Sequence, residues 1–291
     1  MAHIYNPERP YHHKYPIKAV GFDNDNTLYQ EPWHAKELHQ LAALCAIVPQ
    51  MEETTVWEIK KLMARSQREY GGSLNIFAND YGMDLGELRQ AHYRKLIEKT
   101  KGKNFFRRPE NLVRGMQALK DNSVSTFIAT HGNLEWTRHS LQDEGQKGRD
   151  LTDFFNEQNI ICKDQIPGCI GKNKSPAMYD EMIKRLEGPK QNILGSSNRG
   201  RCWAMVDDTP DNLKFAKALG MLTILVDTKG SDPKKLPPYV DVVVKDATEA
   251  IQVIIKSNEY HERNIRQNRL ALPYFPEAEE GNPENLEALE V

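Results

Sequence analysis

The sequence predicts an α/β protein, a parallel sheet covered by helices on both faces and interrupted near its start by an all-helical insert. Three observations carry this expectation. Short apolar runs alternate with helical patterns from residue 108 to about 245. The segment from Pro32 to Thr100 shows helical spacing only. Several apolar runs end in clusters of acids, amides and hydroxyls. Units of this kind build a parallel sheet, and ligands of such sheets bind beyond the carboxyl ends of the strands.

The first run, Ile17-Lys18-Ala19-Val20-Gly21-Phe22, reads as a buried strand that stops at Asp23-Asn24-Asp25-Asn26-Thr27. Helical patterns follow at His34–Val48, Glu52–Tyr70 and Leu85–Lys99. They are broken at Tyr70-Gly71-Gly72-Ser73 and at Gly82-Met83-Asp84, with Asp84 as a helix N-cap. After Arg107-Arg108-Pro109 come a helix over Glu110–Lys120, a strand over Ser125–Ala129, a helix over Trp136–Glu144 and a strand over Asn159–Cys162. A helix over Ala177–Leu186 precedes a strand over Cys202–Val206. The helix Asp211–Leu219 and the strands Leu222–Val226 and Val240–Val244 complete the series. The chain thus divides into an N-terminal tail (1–15), an α/β core (16–31 and 108–257), a helical insert (32–107) and an acidic C-terminal tail (258–291). From Pro273 to Val291 that tail holds six glutamates and no lysine or arginine. The Gly-, Asn- and Ser-containing stretch Glu187–Arg201 reads as a surface loop.

Composition excludes several function classes. Of 291 residues, 39% are hydrophobic and 27% charged, with a formal net charge of -2, so no broad basic field exists for a nucleic acid polymer or an anionic membrane. No apolar run approaches the roughly 18 residues of a membrane span. The polar N-terminus, with His12-His13, reads as a loose tail and not as a secretory signal. Cys45, Cys162, Cys169 and Cys202 show no CxxC spacing, the pattern of reduced thiols in a cytoplasmic protein.

Four segments carry chemistry. In an extended chain residues i and i+2 point the same way, so Asp23 and Asp25 can face one pocket. One carboxylate can attack phosphorus while the other donates a proton to the leaving oxygen and later activates water. Two acids repel an anionic phosphate, so the pair demands a hard cation such as Mg2+. Ser125–Ala129 ends at Thr130-His131-Gly132-Asn133, where a hydroxyl before a helix start can donate to phosphate oxygens. Gly171-Lys172-Asn173-Lys174-Ser175-Pro176 places a lysine before a helix, to balance aspartate and phosphoryl charge. Trp203–Val206 ends at Asp207-Asp208-Thr209-Pro210-Asp211-Asn212, further carboxylates for a metal. Taken singly, Asp-x-Asp, Lys-Ser-Pro and Asp-Asp are common in solvated turns. Their order, each beside a strand or helix end, is what carries weight.

That order resembles the haloacid dehalogenase-like superfamily, most of whose members are aspartyl-phosphate phosphatases, and the resemblance spans about Ile17 to Lys256. It implies a Rossmann-like core with a helical cap inserted after the first strand. It further implies Asp23 as nucleophile, Asp25 as general acid/base and Thr130 as phosphate-binding hydroxyl. Asp208 would ligate Mg2+ with Asp207 beside it, and Asp23 and the carbonyl of Asp25 would ligate as well. Phe22–Tyr29, Tyr70-Gly71-Gly72-Ser73-Leu74, Asp207–Leu213 and Ala218–Val226 look like the pyrimidine 5′-nucleotidase-type branch. The expected function is Mg2+-dependent hydrolysis of a small phosphorylated metabolite, a nucleoside 5′-monophosphate among the candidates, by a monomer or homodimer.

Departures from the family pattern bear on the remaining site residues. Many relatives have asparagine where His131 stands; with Gly132 it can contact substrate, and its charge would make activity depend on pH near neutrality. Lys172 and Lys174 compete for the lysine role, and the Ser175-Pro176 neighbour favours Lys174. Trp33, His34, Tyr70, Ser73 and Phe77 are candidates for the substrate pocket, and Tyr29 is expected beneath the hinge. A 2-haloacid dehalogenase needs no metal and usually lacks the second aspartate, so Asp25 and Asp207-Asp208 argue against it. A phosphomutase would use the same residues, and a scaffold protein that kept the fold is the non-catalytic alternative.

Overall fold

A computed structural model describes residues 2–70, 72–142, 149–169, 171–187 and 200–271. The expected surface loop before the fourth core strand falls mostly outside these residues. The acidic stretch Pro273–Val291, Gly71 of the cap break and the last two residues of the helix expected to end at Glu144 fall wholly outside them.

Seven strands form one wholly parallel sheet: β1 (His3–Ile4), β2 (Ala19–Phe22), β3 (Ser125–Thr130), β4 (Ile160–Cys162), β5 (Trp203–Asp207), β6 (Leu222–Val226) and β7 (Val242–Val244). Their order is β1-β7-β6-β5-β2-β3-β4. Side chains alternate between the two faces as a pleated strand requires. On β5, Ala204 and Val206 join one hydrophobic cluster while Trp203 and Met205 join the other. Phe127 and Ile128 of β3 divide in the same way. Both faces are therefore dry, which is why these strands read as continuous apolar runs.

The insert contains α1 (Ala35–Ile47), α2 (Val56–Tyr70), α3 (Asn75–Tyr81) and α4 (Leu85–Thr100). It has a core of its own, in which Ile47, Ile59, Ile76, Phe77 and Leu88 are fully buried. Asp84 caps α4 as expected, its side chain accepting from the Glu87 N–H at 2.8 Å. The insert leaves and re-enters the core where Gln30 pairs with Arg107: Gln30 N–H donates to Arg107 O at 2.8 Å and Arg107 N–H to Gln30 O at 3.2 Å. A second tie joins the Thr100 hydroxyl at the end of α4 to His139 Nε2 at 2.8 Å.

The remaining core helices are α5 (Leu112–Asp121), α6 (Leu134–Leu141), α7 (Ala177–Glu187), α8 (Leu213–Ala218) and α9 (Ala247–Ala271). The two expected tails need correction, and one set of contacts corrects both. Residues 258–271 continue α9 instead of beginning a tail. The N-terminal segment adds β1 to the sheet edge and docks on that helix. Tyr5 Oη donates to Gln252 Oε1 at 2.8 Å, and His13 N–H to Ser257 Oγ at 2.9 Å. Asn258 binds Ile17 through both N–H (2.7 Å) and C=O (2.8 Å). The His12-His13 segment is thus held by Ser257, and His13 Nε2 also lies 3.0 Å from Arg201 O. If this docking supports the fold, Tyr5→Ala should lower the urea unfolding free energy by about 3 kcal/mol, the usual scale for emptying a buried aromatic position. A loose tail would leave the curve unchanged.

Candidate active site

The acidic and hydroxylated segments lie at the carboxyl ends of β2, β3 and β5, where β2 has β3 on one side and β5 on the other, and the lysine segment lies between β4 and α7. Asp23 directly follows β2, and its N–H extends the ladder to Val206 O at 2.8 Å. Asn26 then adopts a left-handed backbone (φ 58°), which asparagine tolerates. Its side-chain oxygen accepts from the Glu31 N–H at 3.2 Å, and Gln30 Nε2 donates to its carbonyl at 2.6 Å. This tight turn brings Tyr29 back onto Asp25.

The lysine of the site is Lys172, and the choice of Lys174 is corrected. Lys172 is wholly buried. Its Nζ donates to Asp23 Oδ1 at 2.5 Å, to Asp207 Oδ2 at 2.5 Å and to Ala129 O at 3.0 Å, so all three ammonium protons are used. Lys174 is exposed. The reason is local backbone geometry. Gly171 has φ 150°, and a Cβ there would stand 3.1 Å from His131 Nε2. That close approach lets His131 Nε2 accept the Lys172 N–H at 3.0 Å, which turns Lys172 inward. Ser175 instead starts α7, its hydroxyl accepting from Ala177 N–H at 3.1 Å.

Asp25 Oδ1 accepts from the Tyr29 hydroxyl, from Trp136 Nε1 at 2.8 Å and from Asn24 Nδ2 at 3.3 Å. Asn24 is itself held by the Ser140 hydroxyl at 3.0 Å. The other oxygen of Asp25 faces Gly132: a Cβ on that glycine would lie 3.7 Å from Asp25 Oδ2 and 3.3 Å from Thr130 Oγ1. Thr130 Oγ1 also accepts the Gly132 N–H at 3.0 Å. Trp136 was legible only as a helix residue. Its signal is chemical, since a buried indole N–H needs an acceptor. Tyr29, expected beneath the hinge, packs edge-on against Phe106 there and reaches Asp25 as well.

Asp207 Oδ1 accepts Thr209 N–H and Asn212 Nδ2, both at 2.9 Å, while Oδ2 holds Lys172. Asp207 lies within the acidic cluster yet has both oxygens engaged; Asp208, less buried, has the freer carboxylate. One oxygen from each of Asp23, Asp207 and Asp208 can be chosen so that all three lie within 4.8 Å of one another. An all-oxygen set with excess negative charge fits a hard divalent cation.

Charge at the site is unbalanced: among the described residues, Asp23, Asp25, Asp207 and Asp208 gather at this edge, and the Lys172 ammonium bonds two of them. Burial raises the pKa of Asp23 well above the carboxylate range; Lys172 opposes this, and Asp207 and Asp208 add to it. Burial likewise raises Asp25, with Glu31 adding and the Tyr29 and Trp136 hydrogen bonds opposing. Burial and then Asp207 push Asp208 up to about 6. Lys172 keeps its proton: its desolvation is outweighed by Asp207 and Asp23. Although the ring of His131 is partly exposed, desolvation and then the charges of Lys172, Lys163 and Arg89 hold its pKa below the ordinary value. Its Nε2 accepts a hydrogen bond, so the ring is neutral and places the loop of Lys172.

Between insert and core lies a cavity of about 360 Å3 bounded by Ser73, Asn75, Tyr93, His131, Thr209 and Asn212, among others. Of the insert residues singled out by sequence, Ser73 lines it, Phe77 is buried in the insert core and Trp33 is 86% exposed.

The profile of the haloacid dehalogenase-like hydrolases matches residues 17–220. Among solved structures, CbbY from Rhodobacter sphaeroides in complex with phosphate is similar at 15% identity and TM-score 0.55, covering 80% of this chain and 96% of its own. A hydrolase from Pseudomonas syringae is similar at 15% identity and TM-score 0.52, covering 83% and 99%. At these identities the likeness is one of fold. No curated protein matches the sequence. With the profile spanning most of the chain and the four segments gathered at one sheet edge, the chain belongs to the haloacid dehalogenase-like hydrolases.

Proposed function

We propose that this protein is a Mg2+-dependent phosphomonoesterase that works through an aspartyl-phosphate on Asp23. The observation that carries the reading is the pairing of two differently held carboxylates. Asp23 is bound through one oxygen to Lys172, while Asp25 is clamped through one oxygen by Tyr29 and Trp136, leaving its other oxygen beside Thr130 and Gly132. A dehalogenase needs the first of these groups and has no use for the second. Asp23, Asp208 and the carbonyl of Asp25 would hold the cation, with Asp207 anchoring Lys172. Mg2+ bound there would neutralise carboxylate and phosphoryl charge.

The open oxygen of Asp23 attacks phosphorus in line. The ester P–O bond breaks, and Asp25 gives its proton to the departing oxygen. Water then attacks the phosphorus of the aspartyl-phosphate, Asp25 takes the proton, and Asp23 leaves. The raised pKa of Asp25 suits the first half of this cycle, because a carboxyl must carry its proton in order to donate it. Thr130 would donate to a phosphoryl oxygen, and Lys172, its protons held by Asp23, Asp207 and Ala129, would offset phosphoryl charge from beside the nucleophile. Substrates are small phosphorylated metabolites that enter between insert and core.

Asp23→Asn should abolish hydrolysis of p-nitrophenyl phosphate with Mg2+, a fall of at least about 10^3 in kcat; activity equal to the parent would remove Asp23 from the nucleophile role. Lys172→Ala should cost about 10^2 or more in kcat, and Lys174→Ala less than about threefold. The reverse ranking would restore Lys174.

Mg2+ should raise the melting temperature more at pH 7.5 than at pH 5. A carboxyl with a raised pKa stabilises the fold at low pH and loses that contribution as pH rises through its folded value, about 6 for Asp208. The repulsion a cation relieves therefore grows as pH rises through that value, and an equal shift at both pH values would argue against these ligands. Tyr29→Phe removes a hydrogen bond that lowers the Asp25 pKa. The alkaline limb of the kcat/KM profile should consequently move to higher pH.

A further inference from the structure

Two cations line the cavity between insert and core, and among the described residues neither has an acidic partner. Arg89 belongs to α4 of the insert and Lys163 follows β4 of the core, and both line the cavity that His131, Thr209 and Asn212 border. Each is partly buried. Among the described residues neither makes an ion pair within 4.0 Å or a side-chain hydrogen bond. Asp164 and Glu135 border an adjoining groove that Arg89 also touches, and neither is paired with it. Other cations of this chain do find acids: Arg65 binds Glu69, Lys95 binds Glu98, Arg185 binds Glu181 and Lys217 binds Asp241. Burial lowers the Lys163 pKa, and Arg89 lowers it further, so the two charges feel each other.

Two half-buried like charges, one from each side of a closing cleft, repel when the cleft is empty. An anion between them turns that repulsion into a bridge, and Arg89 offers a planar fork suited to a carboxylate or phosphate. The position relative to the reacting groups is also set. His131 is one hydrogen bond from the Lys172 backbone, and Thr209 and Asn212 both donate to Asp207.

We propose that Arg89 and Lys163 form a second anion-binding subsite, so that the substrate is a phosphomonoester whose leaving group carries another anionic group, a carboxylate or a second phosphate. This rests on the phosphatase reading and narrows it, away from nucleoside 5′-monophosphates. Binding of the second anion draws insert and core together, so its energy is spent on closing the site over the phosphoryl group.

The test compares esters of matched size on the full-length protein with Mg2+: 2-phosphoglycolate, ethyl phosphate, 1,2-ethanediol bisphosphate and 2-aminoethyl phosphate. Wild type should favour 2-phosphoglycolate or the bisphosphate over ethyl phosphate by about tenfold or more in kcat/KM, the faster of the two identifying the anion. In Arg89→Ala and Lys163→Ala that ratio should fall toward one. Lys95→Ala, on the same helix and paired with Glu98, should keep it. Arg89→Glu should shift the preference toward 2-aminoethyl phosphate, a gain that a misfolded variant does not produce. A wild-type preference for ethyl phosphate, or a ratio untouched by both substitutions, overturns the subsite. If no ester is hydrolysed, the phosphatase reading falls and calorimetry decides the subsite separately. About tenfold tighter binding of 2-phosphoglycolate than ethyl phosphate, lost in Arg89→Ala, sustains it, and equal binding sinks it.

Discussion

Four carboxylates gather at the carboxyl edge of this sheet, and one ammonium lies among them. Lys172 touches a residue after β2, a carbonyl of β3 and the last residue of β5, so a single side chain ties three adjacent strand ends. Such a group is costly to bury and costlier to leave half paired: removing one member of a buried pair typically costs about 3–5 kcal/mol. Hence the loop that carries it is specified so closely. Gly171 clears the path, the neutral ring of His131 takes the backbone N–H, and Ser175 and Pro176 turn the chain at once into α7.

Around that centre a second layer decides which carboxylate does what. Asp23 and Asp25 are two residues apart and chemically identical in isolation. They diverge because one faces Lys172 and the other faces an indole and a phenol. Trp136 stands at the start of α6, and the same helix presents His139 to Thr100 at the end of α4. The environment of Asp25 is therefore shared by the core and the insert.

The strands were legible because both faces of the sheet are covered, which turns each strand into an unbroken apolar word such as Leu222–Val226. The polar edge of the sheet was legible because acids, amides and hydroxyls follow those words. The Ser175-Pro176 neighbour pointed to Lys174 instead of Lys172, since both sit in one turn and composition does not say which side chain faces in. The two-residue strand β1 has no period to read; it exists because β7 offers an edge and α9 a surface. The full length of α9 was likewise hidden. Its apolar face, with Ala247, Ala250, Ile251 and Ile254, gives way to charged and polar residues that read as the start of a tail.

The paired backbone at Gln30 and Arg107 has a consequence for the history of such a chain. Because the insert departs and returns through neighbouring residues that bond each other, it joins β2 as a closed stem. Whatever hangs from that stem can be enlarged, trimmed or exchanged without altering the register of β2 against β3 and β5.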